Sequence, residues 1–452
     1  MTQNQFDGLR AEISALSALH NIGRVASVQG AALRVSGLSA VARLGDRVRI
    51  HTRDGPPRTG EVLQLEQASV LVMPDEPAEG MALGDRVILL GAATIAPSAD
   101  WIGRVIDPYG QPLDDRPLLR GTRKRAVRAD PPPPARRRPL GPRLETGMAA
   151  FNTFLPIVQG QRIGLFAGAG VGKSMLLGHL ARNMQADIVV VALIGERGRE
   201  LGDFIRDVMG PEGMRRAVIV AATSDRSPLV RRRCAWTAMA VAEHFRDQGL
   251  HVLFLADSVT RFAEAHREIA ISAGEMPALR GYPASTSPTI MSLCERAGPG
   301  EGQTGDITAL LTVLVAGSDM DEPVADILRG VLDGHVVLDR QIAERGRYPA
   351  IDLLRSVSRS LPGALGADEN ALISQARRYL GSYARAETMI KAGLYVEGSD
   401  PELDQAIRIW PELDGFLGDI ETGSSHNSFA RLSVIMRRAG AGGRGTALTS
   451  RS

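Results

Sequence analysis

The chain is poor in cysteine and in aromatic residues. It has two cysteines, Cys234 and Cys294, in 452 residues, and aromatic residues make up 4% of the sequence. Two distant cysteines without C-x-x-C spacing exclude a disulfide framework and the common zinc templates, and they are typical of a reducing compartment. With so few aromatic rings, the cores must be built from Leu, Val, Ile, Ala and Met.

Long apolar runs and a strong excess of one charge are also missing. No stretch of about 18 apolar residues occurs, so no transmembrane helix is expected. The first residues show no basic region followed by an apolar one, so they do not resemble a secretory signal. A net charge of +2 favours neither nucleic acid nor membrane by itself. These features predict a cytoplasmic protein of roughly three domains.

Two regions of different character make up the amino-terminal part. Apolar residues at helical spacing predict an amphipathic helix in the segment 1–21, which either packs on its own domain or docks a partner. Residues 22–95 hold short alternating runs between Gly, Asp and Pro turns, a pattern that predicts a small β-barrel. The string LGDRV occurs at 44–48 and again at 83–87, each time before an apolar run. Chance recurrence of a common turn would also explain this repeat.

Residues 96–147 are predicted to be a linker and the entry to the core. They include the arginine–proline segment, residues 115–143, with four consecutive prolines at 131–134. Such a sequence cannot form regular structure and is typical of a stiff linker. A phosphate or nucleic-acid patch is the alternative interpretation. No aromatic residues are interleaved for base stacking, which makes nucleic-acid binding the weaker alternative.

The remainder of the chain changes from an alternating pattern to a helical one. Over 148–365, apolar strand-like runs alternate with helical segments, which predicts a parallel sheet covered on both faces. Strand signals disappear over 366–438, which we expect to be a helical domain. The Gly-rich stretch 439–452 is predicted to be a disordered tail.

The stretch LFAGAGVGKSMLLGHL, residues 165–180, has the strand–loop–helix context of a phosphate-binding loop. Its glycines allow backbone N–H groups to turn toward phosphates at a helix N-terminus. Lys173 would reach the β- and γ-phosphates of ATP, and the Ser174 hydroxyl would ligate Mg²⁺. The strict pattern has Gly where this chain has Ala167, which fits if that residue needs no positive φ. The predicted phosphate-binding residues are Gly168, Ala169, Gly170, Val171, Gly172, Lys173, Ser174 and Met175.

Two further apolar strands are predicted to end in carboxylates. DIVVVALIGERGRE leads into Glu196 and Arg197, and a carboxylate at this position can polarise a water for attack on the γ-phosphate. HVLFLADSVTRFAE ends its strand at Asp257, which would hold Mg²⁺ through its water shell. Each signal is weak alone, but their order after the loop predicts a nucleotide-hydrolysing site.

Several long strings resemble the flagellar and type III secretion ATPases, relatives of the catalytic subunit of rotary ATP synthases. They include GERGRE, FLADSVTRFA, PASTSPTIMSLCERAG and GSDPELDQAI, and the resemblance extends over nearly the whole chain. It implies a homohexameric ring with an N-terminal β-barrel, a RecA-like ATPase core and a C-terminal helical domain. By the same resemblance, Glu196 is the catalytic glutamate with Arg197 beside it. Arg359, in SVSRS, is the arginine finger that reaches a neighbouring subunit's site.

The function implied by this resemblance is Mg-dependent ATP hydrolysis that energises protein export at the flagellar base. The expected partners are export chaperones and their substrates, a membrane export gate, and a regulatory stator-like protein at the N-terminal helix. The ATPase would unload substrates from their chaperones at the inner membrane. Three alternatives stay open: a virulence-type secretion ATPase, the catalytic subunit of a rotary ATP synthase, and a hexamer that translocates RNA.

Overall fold

A computed structural model describes residue 13, residues 19–315 and residues 320–441. The predicted N-terminal helix and most of the predicted tail lie outside the described residues. Among those described, 19–139, 186–314 and 320–331 form one compact unit, and 140–185, 315 and 332–441 form a second. No helix in the described part is long and apolar enough to span a membrane.

Sixteen strands and twelve α-helices are named here in chain order. The strands are β1 (Ile22–Gln29), β2 (Ala32–Ser36), β3 (Arg47–His51), β4 (Arg58–Leu65), β5 (Ser69–Pro74), β6 (Arg86–Gly91), β7 (Thr94–Ile95), β8 (Arg104–Ile106), β9 (Arg125–Ala126), β10 (Arg162–Ala167), β11 (Ile188–Glu196), β12 (Ala217–Thr223), β13 (Val252–Asp257), β14 (Ile307–Leu314), β15 (Gly334–Leu338) and β16 (Ile351–Ser358). The helices are α1 (Ala149–Asn152), α2 (Lys173–Asn183), α3 (Gly198–Asp203), α4 (Gly210–Met214), α5 (Pro228–Arg246), α6 (Val259–Ser272), α7 (Thr286–Glu295), α8 (Pro323–Val331), α9 (Arg340–Glu344), α10 (Ala367–Lys391), α11 (Pro401–Phe416) and α12 (Ser425–Ala441). A π-helical turn, Phe204–Met209, separates α3 from α4.

The predicted β-barrel is confirmed. Six strands close on themselves in the order β1-β2-β5-β4-β3-β6, and every neighbouring pair is antiparallel. Alternate residues of these strands point inward, which is why the sequence alternates between apolar and polar positions. Fully buried Val35, Val48, Ile50, Val72 and Val87 fill the barrel interior. These branched residues pack the barrel without aromatic rings.

The repeated LGDRV string forms the same turn twice. In the first copy, the Asp46 carboxylate accepts a hydrogen bond from the backbone N–H of Arg43 at 2.9 Å. In the second, the Asp85 carboxylate accepts one from Ala82 at 2.8 Å. Both carboxylates are buried, and each turn leads into a barrel strand, β3 or β6. The two copies therefore have the same structural role at the start of two barrel strands.

Apart from the short strand β9 and a 3₁₀ turn at Pro134–Arg136, the arginine–proline segment is irregular, and part of it packs closely within the first unit. The Arg137 guanidinium donates to the backbone carbonyls of Glu295 and Ala297, the latter at 3.1 Å. The Arg138 guanidinium donates to the Asp306 carboxylate at 2.7 Å. These contacts hold 137 and 138 against the protein, which a free linker or an open nucleic-acid patch would not show.

Parallel strands form the centre of the first unit. They lie in the order β14-β13-β11-β12-β8, so the predicted linker region contributes one strand, β8, at the edge. The central strands are buried along nearly their whole length, which explains their continuous apolar sequences. Helix α5 begins at Pro228 with Ser227 as its N-cap, and it packs against β11 and β12.

The second unit combines three strands with the C-terminal helices. Strand β15 lies parallel to β10 and antiparallel to β16. Helices α10, α11 and α12 pack together, and the rings of Tyr383 and Trp410 stack with centroids 4.5 Å apart. The predicted fold class is confirmed: an α/β nucleotide-binding core with parallel strands, an N-terminal β-barrel and C-terminal helices.

Candidate active site

The predicted phosphate-binding loop lies in the second unit, between β10 and α2. Residues 168–172 leave the strand, and Gly172 caps the first turn of the helix. Gly170 has φ 76° and Gly172 has φ 84°, a left-handed conformation that glycine adopts without steric cost. The backbone N–H groups at this helix start, together with the helix dipole, make a site suited to phosphate.

Ala167, the departure from the strict loop pattern, is the last residue of β10. It pairs with Leu338 of β15, and its carbonyl accepts a hydrogen bond from the backbone N–H of Val315 at 3.1 Å. The residue is fully buried and has strand geometry, so its position does not require positive φ. An alanine side chain therefore fits there without strain.

Three predicted ligand-binding side chains occupy the first turn of α2. Lys173 is half-buried, whereas Ser174 and Met175 are exposed. A lysine amine and a serine hydroxyl at the start of this helix are close to the loop's N–H groups by chain connectivity. The first turn therefore combines a positive charge, a hard oxygen donor and the positive end of a helix dipole.

Tyr348, which the sequence analysis missed, lies against the loop. A Cβ built at Gly172 would be 3.0 Å from Cδ1 of the Tyr348 ring, so the ring and the loop backbone are in close contact. The tyrosine is 44% exposed, so part of its ring is available to another molecule. A half-exposed aromatic ring beside a phosphate loop is suited to stack on a nucleotide base.

The two predicted carboxylates lie at the carboxyl edge of the first unit's sheet. Strand β11 ends at Glu196 and its parallel neighbour β13 ends at Asp257. Asp257 pairs in register with Leu193, so Glu196 lies three residues beyond it along the strand. The carboxyl edge of such a sheet is where α/β proteins bind ligands. The structure therefore brings Glu196 and Asp257 to the same edge.

The Asp257 carboxylate is held in place by a neighbouring strand. It is 3% exposed, and the Thr312 hydroxyl of β14 donates to Oδ1 at 2.8 Å. The same hydroxyl lies 3.1 Å from the carbonyl oxygen of Ala256. The Asp257–Ser258 peptide bond, which leads into α6, is cis. The buried carboxylate thus has a fixed orientation at the strand end.

Glu196 has a different setting. The register between β11 and β12 shifts between Ile194 and Glu196, and such a bulge redirects the side chains around it. Glu196 is partly buried, while the Arg197 side chain is 81% exposed and pairs with Glu200 at 3.3 Å. The geometry therefore separates the two residues: Glu196 is partly enclosed at the edge, and Arg197 extends into solvent.

A second arginine, Arg261, lies close to this carboxylate and was not predicted. Its hydrogen bond to Glu264 raises the pKa of the Arg261 guanidinium, and the charges of Glu196 and Glu200 act in the same direction. A Cβ built at Gly195 would be 3.4 Å from Cβ of Arg261. The sequence offers one signal for this residue: Arg261 lies in VTRFAE, one helical turn after Asp257, the last residue of β13.

Arg359 lies at the other end of the second unit's strands from the phosphate loop. Its backbone N–H donates to the Asp333 carbonyl at 3.0 Å, next to the pairing of Gly334 with Ser358. The loop starts beyond Ala167, which pairs with Leu338. Asp333, which contacts Arg359, and Leu338, which pairs with Ala167, are five residues apart along the chain. Arg359 is therefore about 16 Å from the start of the loop along the strand direction, at about 3.3 Å per residue. Within its own chain, Arg359 is therefore remote from the loop.

The predicted residues thus fall into two sets. Glu196, Arg197 and Asp257 belong to the first unit and share one sheet edge. Lys173, Ser174 and the loop glycines belong to the second unit, at the end of its strands opposite Arg359.

These features define a class, the P-loop ATPases. Residues 147–358 match the ATP synthase alpha/beta family, nucleotide-binding domain. Residues 366–428 match the T3SS EscN ATPase C-terminal domain. The first match covers the loop, both carboxylates and the strand that precedes Arg359. The second covers helices α10 and α11 and the first residues of α12.

Comparison with known proteins gives the family. The chain is 43% identical to the flagellum-specific ATP synthase of Caulobacter vibrioides over 95% of its length and 99% of that protein. It is 41% identical to the one from Salmonella typhimurium, covering 95% and 96%. The assembled ATPase EscN of the enteropathogenic E. coli type III secretion system superposes with a TM-score of 0.84 at 34% identity, covering 91% and 99%. The chain belongs to the family of flagellar and type III secretion export ATPases, P-loop enzymes that hydrolyse ATP.

Proposed function

We propose that this ATPase energises protein export through a flagellar type III secretion apparatus. The observation that carries the proposal is the joint presence of a complete phosphate loop and a C-terminal segment of the secretion-ATPase type. That segment favours an export ATPase over the catalytic subunit of a rotary synthase. Relatives named flagellum-specific, at 39% to 45% identity, favour the flagellar system over a virulence system.

Lys173, Glu196 and Tyr348 receive roles in ATP binding and hydrolysis. Lys173 and the loop N–H groups bind the β- and γ-phosphates of ATP, and the Tyr348 ring stacks on the base. Glu196 orients and polarises the attacking water. The partial burial of Glu196 supports this role, because an enclosed carboxylate is less solvated than a surface one.

Mg²⁺ is the metal that fits the oxygen donors of the site. The Ser174 hydroxyl would bind it directly, and the Asp257 carboxylate would hold its water shell. Bound Mg²⁺ would neutralise charge on the phosphates. The Thr312 hydroxyl, 2.8 Å from Oδ1 of Asp257, keeps that carboxylate in one orientation.

Arg359 acts in a second copy of the chain. Its position about 16 Å from its own loop, at about 3.3 Å per strand residue, supports a role in trans. A guanidinium supplied by a neighbour stabilises transition-state charge and makes hydrolysis depend on assembly. The working form would be a homohexameric ring, and the assembled state of the related ATPase EscN supports an oligomer of this kind.

The same proposal names the partners and the location. A related structure contains EscN with its central stalk EscO, so we expect a stalk-like partner for this ring. The N-terminal helix would bind a regulatory stator-like protein, and the ring would unload export substrates from chaperones beside a membrane gate. The protein would act in the cytoplasm, peripheral to the inner membrane. RNA translocation is disfavoured, because Arg137 and Arg138 are engaged by the first unit.

One experiment tests the export function directly. A Salmonella typhimurium strain lacking its own flagellum-specific ATP synthase would receive this chain, and swimming motility would be scored. Restored motility that is lost with Lys173→Ala supports the proposal. The purified chain would be assayed in parallel for ATP hydrolysis with and without single-stranded RNA. Strong stimulation by RNA, without restored motility, would favour the translocase alternative.

A further inference from the structure

A polar cleft in the first unit lies apart from the residues assigned to hydrolysis. Its volume is about 530 Å³, and its lining includes Arg128, Arg232, His266, Ser285 and Thr289. Small-molecule sites commonly measure about 300–1,000 Å³. The cleft is therefore large enough for a small solute.

Two arginines of the cleft share one indole ring and one carboxylate. The guanidinium carbons of Arg128 and Arg232 lie 4.0 and 4.8 Å from the ring centroid of Trp236. Both guanidiniums also contact the buried Glu61 carboxylate, at 3.3 Å and 3.0 Å. Arg233 is a third partner of the same carboxylate, at 2.7 Å. One negative charge thus faces three positive charges.

Arg232 and Arg233 both have an unsatisfied donor, and Arg232 is the one of the two that lines the cleft. It is 5% exposed, and its Nε–H is buried without a hydrogen-bond partner. Burial, together with the charges of Arg128 and Arg233, lowers the pKa of Arg232 to about 10 against the opposing charge of Glu61. Buried donors in folded proteins normally have a partner, so this one calls for an explanation. A bound anion would supply the missing negative charge.

A hydrogen-bonded relay forms another wall. Burial, and after it the charge of Arg232, lowers the pKa of His266 to about 4, so the ring is neutral at pH 7. Its Nδ1 accepts from Arg232 at 3.3 Å, and its Nε2–H donates to the Ser285 hydroxyl at 2.8 Å. Ser285 in turn donates to the Glu275 carboxylate at 2.5 Å. These hydrogen bonds hold the Arg232 guanidinium in place, and the Glu275 carboxylate already accepts one from Ser285.

The other charges at the cleft are paired or lie at its rim. Arg296 forms a two-point contact with the Glu243 carboxylate, at 2.8 and 2.9 Å. Asp130 is an exposed carboxylate of the lining and opposes anion binding. Arg128 and Arg232 therefore carry the unmatched positive charge on the inner wall.

We propose that this cleft binds a phosphate group of a small solute between Arg128 and Arg232. A guanidinium presents paired N–H donors that match phosphate oxygens. The Thr289 hydroxyl of the same lining already donates to the Ser285 carbonyl at 2.7 Å, so the two guanidiniums supply the donors. Trp236 is 9% exposed and already covered by guanidiniums, so the cleft recognises the phosphate group rather than a base.

Calorimetric titration of the full chain with inorganic phosphate tests this inference. The nucleotide loop is first saturated with Mg²⁺ and a non-hydrolysable ATP analogue, so that heat reports binding elsewhere. We expect saturable binding with one site per chain. Arg128→Glu should weaken it at least about tenfold, the effect of losing a charged hydrogen bond. The Arg128 side chain is 51% exposed, so the variant should fold, which circular dichroism checks.

Arg120→Glu is the matched control, because Arg120 is an exposed arginine of the same unit outside the cleft. It should bind phosphate as the wild type does. The inference is overturned if the wild type shows no saturable binding, or if both variants bind alike. It is also overturned if phosphate does not bind and Arg128→Glu changes the sedimentation coefficient of the protein. That result would indicate that the cleft holds a carboxylate of another copy of the chain. None of these outcomes depends on ATP hydrolysis or export.

Discussion

Replacing Arg359 with alanine distinguishes a role within the chain from a role in trans. Measured along β15, the Arg359 backbone is about 16 Å from the start of its own phosphate loop, at about 3.3 Å per residue. Two unit charges at that distance interact by about 1 kcal/mol at an effective dielectric constant of about 20. Losing that energy lowers a rate only about fivefold. A purely intramolecular role therefore predicts a small effect.

A role in trans predicts a far larger effect. An arginine supplied by a neighbouring molecule contributes about 10³ to 10⁵ in kcat. We expect Arg359→Ala to bind ATP normally and to lose the rise in hydrolysis per chain with increasing protein concentration. The control is Arg340→Ala, because that side chain is 78% exposed and pairs only with Glu344 among the described ion pairs. It should keep the wild-type concentration dependence.

Mixing two inactive variants makes this test sharper. Lys173→Ala lacks a working loop but keeps Arg359, whereas Arg359→Ala keeps the loop. In a mixed ring, the intact loop of one variant meets the intact arginine of the other, so hydrolysis should reappear on mixing. A mixture no more active than the two separate proteins would refute the trans role. So would an Arg359→Ala rate within about fivefold of wild type at every concentration, the largest loss that a purely intramolecular interaction allows.

Variants at four further residues test other parts of the structure. Glu196→Gln should bind ATP but hydrolyse it about 10² to 10⁴ times more slowly, and turnover within about tenfold of wild type in a steady-state assay would remove Glu196 as the base. Tyr348→Ala should weaken nucleotide binding about 5- to 150-fold through lost stacking of about 1–3 kcal/mol, whereas Tyr348→Phe should keep the affinity in an equilibrium titration. Glu61→Gln should lower the free energy of unfolding by about 3–5 kcal/mol in urea, because it leaves buried guanidiniums without their carboxylate, and an unchanged urea midpoint would contradict the shared ion pair. The pKa of His266 is about 4 in the folded chain against an ordinary 6.5, so only the unfolded chain takes up this proton between those values. Stability should therefore fall as the pH drops from about 6.5 to about 4, and His266→Gln should show a weaker pH dependence in the same urea titrations.

The parts of the site that follow from local sequence could be predicted. A buried strand that ends in a carboxylate is visible in the apolar runs before Glu196 and Asp257. Parallel strands place their carboxyl ends on one edge, so these two residues had to share that edge once the strands were neighbours. The glycine pattern and Lys173 likewise mark the loop, because left-handed turns and a helix start leave local signals.

Residues brought in from distant segments left no comparable signal. Tyr348 lies against Gly172 although 176 positions separate them in the sequence, and its own neighbourhood reads as an ordinary turn before a proline. Arg232 and Arg233 occur in a run of three arginines on α5, which the sequence suggests is a solvated face. The structure buries both of them against Glu61 of the barrel strand β4. Only the tertiary fold supplies that carboxylate.

The arginine–proline segment shows why composition alone misjudges such stretches. The four prolines at 131–134 remove backbone donors, so this part of the segment cannot pair in a sheet. Arginine side chains replace those donors: Arg137 and Arg138 reach backbone carbonyls and the Asp306 carboxylate of the first unit. The proline content correctly predicts irregular backbone, but irregular backbone is compatible with close packing when long side chains supply the hydrogen bonds.

The position of Arg359 depends on the direction of strand β16, which the local motif SVSRS does not reveal. Strand β15 runs parallel to β10, so a residue following β15 would emerge at the loop's edge. The chain instead turns back, and β16 runs antiparallel to β15. That reversal returns Arg359 to the amino-terminal edge of β10, beside Asp333 and away from the phosphates. Under the proposed mechanism, an arginine in this place contributes to hydrolysis only if another copy brings its loop to it, so the direction of one strand would link hydrolysis to ring assembly.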